Sequence, residues 1–181
     1  SRWTPPSGLT WGWQRPNSLT EPGGGGLQGR QQTLPRMGGM NIFEALHVSH
    51  ETQRALCAQL LASPVDATTR HRLFLDLRRE LQAHATAEER CLYVPLFAHD
   101  STVNASRHAI AEHHDMDELV EDLQARAFND TGWLALARKL SEKVHHHLRE
   151  EETKFFQLAG KVLGEAEQRA LAKDYEAEFL T

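Results

Sequence analysis

Leu73-Phe74-Leu75-Asp76-Leu77-Arg78-Arg79-Glu80-Leu81-Gln82-Ala83-His84-Ala85-Thr86-Ala87-Glu88 is the stretch on which the fold turns. Leu73, Leu77 and Leu81 recur every four residues, which is the period of one helical face. His84 continues that line, and Glu88 follows one turn later. The same pattern returns 63 residues on, where Leu136, Leu140 and Val144 lead to His147 and Glu151. Under that shift His50 also meets His113, Leu56 meets Leu119, Leu60 meets Leu123, Glu89 meets Glu152 and Tyr93 meets Phe156. A helix pair repeated in this way predicts a bundle with approximate two-fold symmetry. Matching side chains then approach the shared axis from opposite sides.

Reading outward, Asn41 is placed to cap a first helix running to about Ala62, and Asp66 to cap a second running to about Ala98. Ser63-Pro64 separates them, and Pro95 should bend or end the second. A third helix is expected from the turn at His99 to about Arg126. A fourth follows Asn129-Asp130-Thr131-Gly132 and reaches about Leu163, loosened at Gly160. A short fifth is expected over 165–179, packed across the bundle end or forming a dimer contact. No segment alternates like a strand. The expected class is all-α, an antiparallel up-down-up-down four-helix bundle with a short C-terminal fifth helix, spanning residues 40–181. Residues 1–39 differ in kind. They hold nine of the 12 glycines, five of the seven prolines and one acidic residue, Glu21. They read as a disordered, flexible Gly/Pro-rich tail, or as sequence upstream of a start at Met40.

Bulk properties narrow the function. The chain has 181 residues, 40% of them hydrophobic, and a formal net charge of −5. That balance gives nucleic acid no electrostatic footing. No apolar run has the roughly 20 residues that span a bilayer, and no signal peptide is visible, so a cytoplasmic setting is expected. Cys57 and Cys91 are too few for a disulfide scaffold. The unusual count is 11 histidines.

A histidine and a glutamate four apart share a helical face and can reach one metal ion. This composition gives about one such pair by chance. The chain has six, starting at His47, His84, His108, His114, His146 and His147. Register separates them. His84–Glu88 and His147–Glu151 continue apolar lines and should point inward. The pairs at His108, His114 and His146 have mainly polar neighbours, and the one at His47 is ambiguous. His50 lies on the line Phe43, Leu46, Cys57, and His113 lies near Ile110, Met116 and Val120. Four inward imidazoles and two inward carboxylates make His50, His84, Glu88, His113, His147 and Glu151 the candidate metal ligands. Unpaired buried carboxylates are costly and two together repel, which shared cations relieve. The donor set suits two iron ions, with manganese or zinc as alternatives. The ions would keep open positions for small ligands. Tyr93 and Phe156 are expected to cap the chamber at one end, and Cys91 to line its wall.

Taken in order, His50, His84-x-x-x-Glu88, Glu112-His113 and His147-Leu148-Arg149-Glu150-Glu151-Glu152 resemble the hemerythrin-like, HHE cation-binding family over residues 40–163. The resemblance implies a non-haem di-iron centre that binds or senses dioxygen, peroxide or nitric oxide, or serves iron homeostasis. Two positions depart from oxygen-carrying members. Asp117 stands where they have a second third-helix histidine, and Glu152 stands where they have an aspartate. Asp117 is a possible extra ligand or an acceptor for a ligand imidazole, and Glu152 a possible extra ligand. The alternatives are a di-iron enzyme decomposing peroxide or nitric oxide, and a metal-free helical interaction module. The sequence leaves the oligomeric state open.

Overall fold

The computed structural model describes residues 39–62, 66–128 and 130–181. The expected reading of the first 38 residues as a tail, and the breaks at Ser63-Pro64 and Asn129, lie outside them. Among the described residues there are five helices and no strand. Helix α1 is Ile42–Leu61. Helix α2 is Ala67–Glu88, continued through a π turn at Glu89–Tyr93 and a last stub at Val94–Leu96. Helix α3 is Asp100–Ala125. Helix α4 is Trp133–Glu150, a second π turn at Glu151–Phe155, and Phe156–Val162. Helix α5 is Glu165–Phe179.

Local chemistry sets the ends. Asn41 accepts from the Glu44 amide (3.0 Å) and Glu44 accepts from the Asn41 amide (2.9 Å), a reciprocal cap at the start of α1. Asp66 accepts from the Thr69 amide (2.9 Å) and starts α2. At the other end of α2, past Pro95, Thr102 donates its hydroxyl to the carbonyls of Leu96 (2.6 Å) and His99 (2.8 Å). The chain thereby turns directly into α3. Short loops of this kind make sequential helices antiparallel neighbours.

Because neighbouring helices run in opposite directions, residues early in one lie level with residues late in the next. Ile42, Leu46, Leu92, Leu96, Ala159 and Tyr175 are fully buried together at one end of the bundle. Leu60, Phe74, Leu77, Leu123, Trp133 and Leu140 are buried toward the other. There the Trp133 indole donates to the Leu123 carbonyl (3.1 Å) and meets Phe74 edge-on. His50, His84, His113 and His147 fall between these apolar layers, near the middle of their helices.

Two expectations need correction. Gly160 does not loosen α4, which runs on to Val162; the irregular turn is the π turn at Glu151–Phe155. Helix α5 does more than cover the bundle end. It packs along α1 and α2 and sends the fully buried Tyr175 inward.

The reciprocal cap can be tested alone. Asn41→Ala should lower unfolding stability by about 1 kcal/mol in urea denaturation; an unchanged midpoint would show that the cap does not hold α1.

Candidate metal centre

Each of the four bundle helices delivers at least one polar group to a single spot. His50 comes from α1, His84 and Glu88 from α2, His113 from α3, and His147 and Glu151 from α4. All six are buried, none more than 3% exposed. Glu88 Oε2 lies 3.2 Å from His84 Nε2 and 3.5 Å from His113 Nε2. Glu151 Oε2 lies 3.3 Å from His50 Nε2 and 3.9 Å from His147 Nε2. Each carboxylate therefore faces one imidazole from each half of the repeat. His50, His84, Glu88 and Glu151 converge closely enough to hold one ion, and Glu88, His113 and His147 to hold a second.

The outward ring nitrogens fix what the inward ones can do. His50 Nδ1 meets Glu152 Oε1 at 2.8 Å, His113 Nδ1 meets Glu89 Oε1 at 2.8 Å, and His147 Nδ1 meets Glu112 Oε2 at 3.0 Å. A carboxylate only accepts, so each Nδ1 carries the proton and donates. In the neutral ring the Nε2 is then a bare lone pair aimed at the centre. His113 Nε2 and His147 Nε2 stand only 3.1 Å apart. Two lone pairs at that distance repel unless a proton or a cation lies between them. His50 Nε2, His84 Nε2, Glu88 Oε1 and Glu151 Oε2 are buried and have no hydrogen-bond partner among the described residues. Leaving such groups unsatisfied costs roughly 1–3 kcal/mol each, and more where charge is involved. Shared metal ions satisfy all of them, so these residues fit such ions.

The carboxyl pair is held apart in character. Burial, together with the charge of Glu151 beside it, pushes the Glu88 carboxyl well above its ordinary range. Burial also opposes charge on Glu151, but the His50 and His147 imidazoles facing it hold it well below that range. Between them lies the Tyr93 hydroxyl, 2.9 Å from Glu88 Oε2 and 2.6 Å from Glu151 Oε1. Tyr93 reaches Glu88 because of the π turn. Five residues span about 140° more than one turn in an α-helix, but only slightly more than one turn in a π helix. The expectation that Tyr93 caps one end therefore understated its role, since its hydroxyl is part of the cluster. The same turn takes Cys91 off the chamber wall and toward α5, where Glu178 and Asp174 act on it. Both cysteine thiols are pushed up to about 11, first of all by burial. Phe156 stacks on the His50 ring at 5.9 Å, and Phe155 meets Tyr93 at 5.0 Å.

The repeat is interlocked and, at one point, broken. Glu152 and Glu89 are repeat equivalents, and each orients the histidine of the other half. Burial disfavours charge on Glu152, yet hydrogen bonds from His50 and Arg54 hold its carboxyl down at about 2. Glu112 orients His147, and the position equivalent to Glu112 is Ser49. A serine cannot span that gap. His84 Nδ1 is met instead by the Tyr175 hydroxyl of α5, at 2.9 Å. Ser49 in turn touches Tyr175 and donates to the buried Glu80 at 2.7 Å. The spacing of Tyr175 from the repeat hides this partner from sequence reasoning.

The histidines of the remaining pairs lie at the surface, as the register of His108, His114 and His146 implied and as that of His47 left open. The side chains of His47, His108, His114 and His146 are 58%, 60%, 68% and 60% exposed. His47 meets Glu152 at 3.1 Å. Asp117 lines a small cavity beside His84, His113 and His147.

The model of the hemerythrin HHE cation binding domain matches residues 41–159. The chain belongs to that family. As a hemerythrin-like protein it is metal-binding, and its buried His/Glu cluster is the candidate site. A hemerythrin HHE cation binding domain-containing protein from Mycobacterium kansasii, known from a crystal structure, has the same fold. The TM-score is 0.69 at 24% identity, over 78% of this chain and 86% of that one. No protein of curated function matches the sequence.

Partners that orient ligand imidazoles typically account for a 10–100-fold change in metal affinity. In this hemerythrin-like bundle, Tyr175→Phe keeps the buried ring but removes the bond to His84. Chelator competition should show metal affinity falling by roughly tenfold or more. Unchanged affinity would show that Tyr175 only packs.

Proposed function

We propose that the protein is a non-haem di-iron protein that binds or senses dioxygen or a related small oxidant, peroxide or nitric oxide. His50, His84, Glu88, His113, His147 and Glu151 hold the two ions. The observation that carries this reading is the meeting of His113 Nε2 and His147 Nε2 at 3.1 Å, with both Nδ1 atoms already committed to carboxylates. That arrangement has a physical reason when a cation lies among the rings. Imidazole and carboxylate donors without an inward thiolate favour iron, or else manganese or zinc, over metals that select sulfur. Iron held there supplies redox chemistry and open coordination positions to a small ligand.

The chain's own residues prepare that chemistry. Glu89, Glu112 and Glu152 fix three imidazole tautomers from outside. Tyr93 places its hydroxyl proton between Glu88 and Glu151. The apolar layers on either side bury the cluster, none of its six residues being more than 3% exposed. Binding or sensing is preferred to turnover as the simplest use of such a site; an enzyme decomposing peroxide or nitric oxide is the outcome that assays would separate from it.

Anaerobic ferrous loading followed by iron analysis should give two ions per chain, and the oxidised protein an optical band that responds to dioxygen without turnover. Glu88→Ala and Glu151→Ala should each lose most of the iron, while His114→Ala on the exposed face should keep it. Equal retention in all three variants would overturn the ligand assignment. Sustained turnover of peroxide or nitric oxide would move the protein into the enzyme class.

A further inference from the structure

Two of the surplus histidine–glutamate pairs face each other. His108–Glu112 lies on α3, His146–Glu150 lies on α4, and the two helices pack side by side. His146 Nε2 is 3.3 Å from Glu150 Oε2 and 3.7 Å from Glu112 Oε1. His108 Nε2 is 3.8 Å from Glu112 Oε1 and 3.9 Å from Glu150 Oε2. Each imidazole thus stands near both carboxylates, its own and the one across the groove, without a hydrogen bond to either. The donor atoms of a four-coordinate ion with bonds of about 2.0–2.1 Å lie about 3.3 Å apart. His108, Glu112 and Glu150 each offer a donor atom within 4.8 Å of the others, and His146 adds a fourth beside the two carboxylates.

The carboxylates are already divided between tasks. Glu112 gives Oε2 to His147 and turns Oε1 to this spot. Glu150 gives Oε1 to Lys154 and turns Oε2 to it. Ordinary solvated ion pairs on a helix surface need no such division and contribute only a few tenths of a kcal/mol. Beneath the spot lies a cavity of about 190 Å³. The partly exposed Glu112 and Glu150 and the exposed Lys154 line it together with Phe155 and the buried His147 and Glu151. Glu151 Oε2 is one of the buried oxygens that lack a hydrogen bond.

We propose that His108, Glu112, His146 and Glu150 form a further metal site, taking a divalent first-row transition ion at the surface and passing it through this cavity to the buried centre. The outer site stands on its own geometry; its loading role rests on the reading of the buried centre given above. Glu112 serves both, because its other oxygen orients His147. Negative charge at the mouth of a cleft raises local cation concentration and on-rates by at least about tenfold.

Titration of the metal-free protein with Co²⁺, followed by the visible band of four-coordinate cobalt, tests it. The wild type should bind one more ion than His108→Ala/His146→Ala. The double variant changes only exposed side chains, and His114→Ala serves as the control for removing an exposed histidine. Loading of the buried centre by Fe²⁺ should be slower in the double variant, which loses the imidazole donors and keeps the carboxylates, with its final iron content unchanged. Equal cobalt stoichiometry in the two proteins would overturn the outer site. A lost ion with no change in loading rate would overturn the loading role. If the outer ion is the only one bound and the double variant abolishes it, the outer site stands and the reading of the buried centre falls.

Discussion

Lone pairs and carboxylate charge turned toward one another inside an apolar bundle are the constraint on which this structure depends. Helix burial can be satisfied with leucine alone, as it is in the layers around Leu96 and Leu140. Between those layers the chain instead places four imidazoles and two carboxyls, and further polar groups hold them in place. Glu89, Glu112, Glu152 and Tyr175 each meet an outward Nδ1. Such an arrangement is unfavourable on its own terms. It becomes favourable when cations join the inward atoms, and metal binding and folding are then linked.

Interlocking of the two halves ties the centre to the closed bundle. His50 is oriented by Glu152 of the second half and His113 by Glu89 of the first. Neither half completes its own ligand geometry, so the site exists only when the bundle is closed. The fifth helix enters the same logic where the repeat fails. Ser49 stands in the place of an acid, and Tyr175 fills the gap from α5 with Ser49 and Glu80 behind it. The two ends of the centre consequently differ, one oriented by two carboxylates and the other by a carboxylate and a phenol.

Much of this was legible in the sequence, for identifiable reasons. The leucine lines through Leu73, Leu77, Leu81 and Leu136, Leu140, Val144 carried the register up to His84 and His147 without interruption, so the inward pairs were separable from the surface ones. The Asn41 and Asp66 caps fixed where helices begin. Legibility ended at Glu88 and Glu151, where the π turns shift the register. A 3.6-residue period carried past them put Cys91 on the chamber wall and left Tyr93 as an end cap. Tyr175 lay outside the repeat, so no internal comparison pointed to it. The convergence of His108–Glu112 with His146–Glu150 depends on how α3 and α4 pack, which spacing along either helix does not encode.

The central claim is that six side chains from four helices clasp two metal ions. Anomalous diffraction at the iron edge from crystals of the iron-loaded protein tests it most directly. Two peaks are expected, one among His50, His84, Glu88 and Glu151 and the other among Glu88, His113 and His147. A map with no peak at those six residues, in crystals shown to contain iron, would contradict the account.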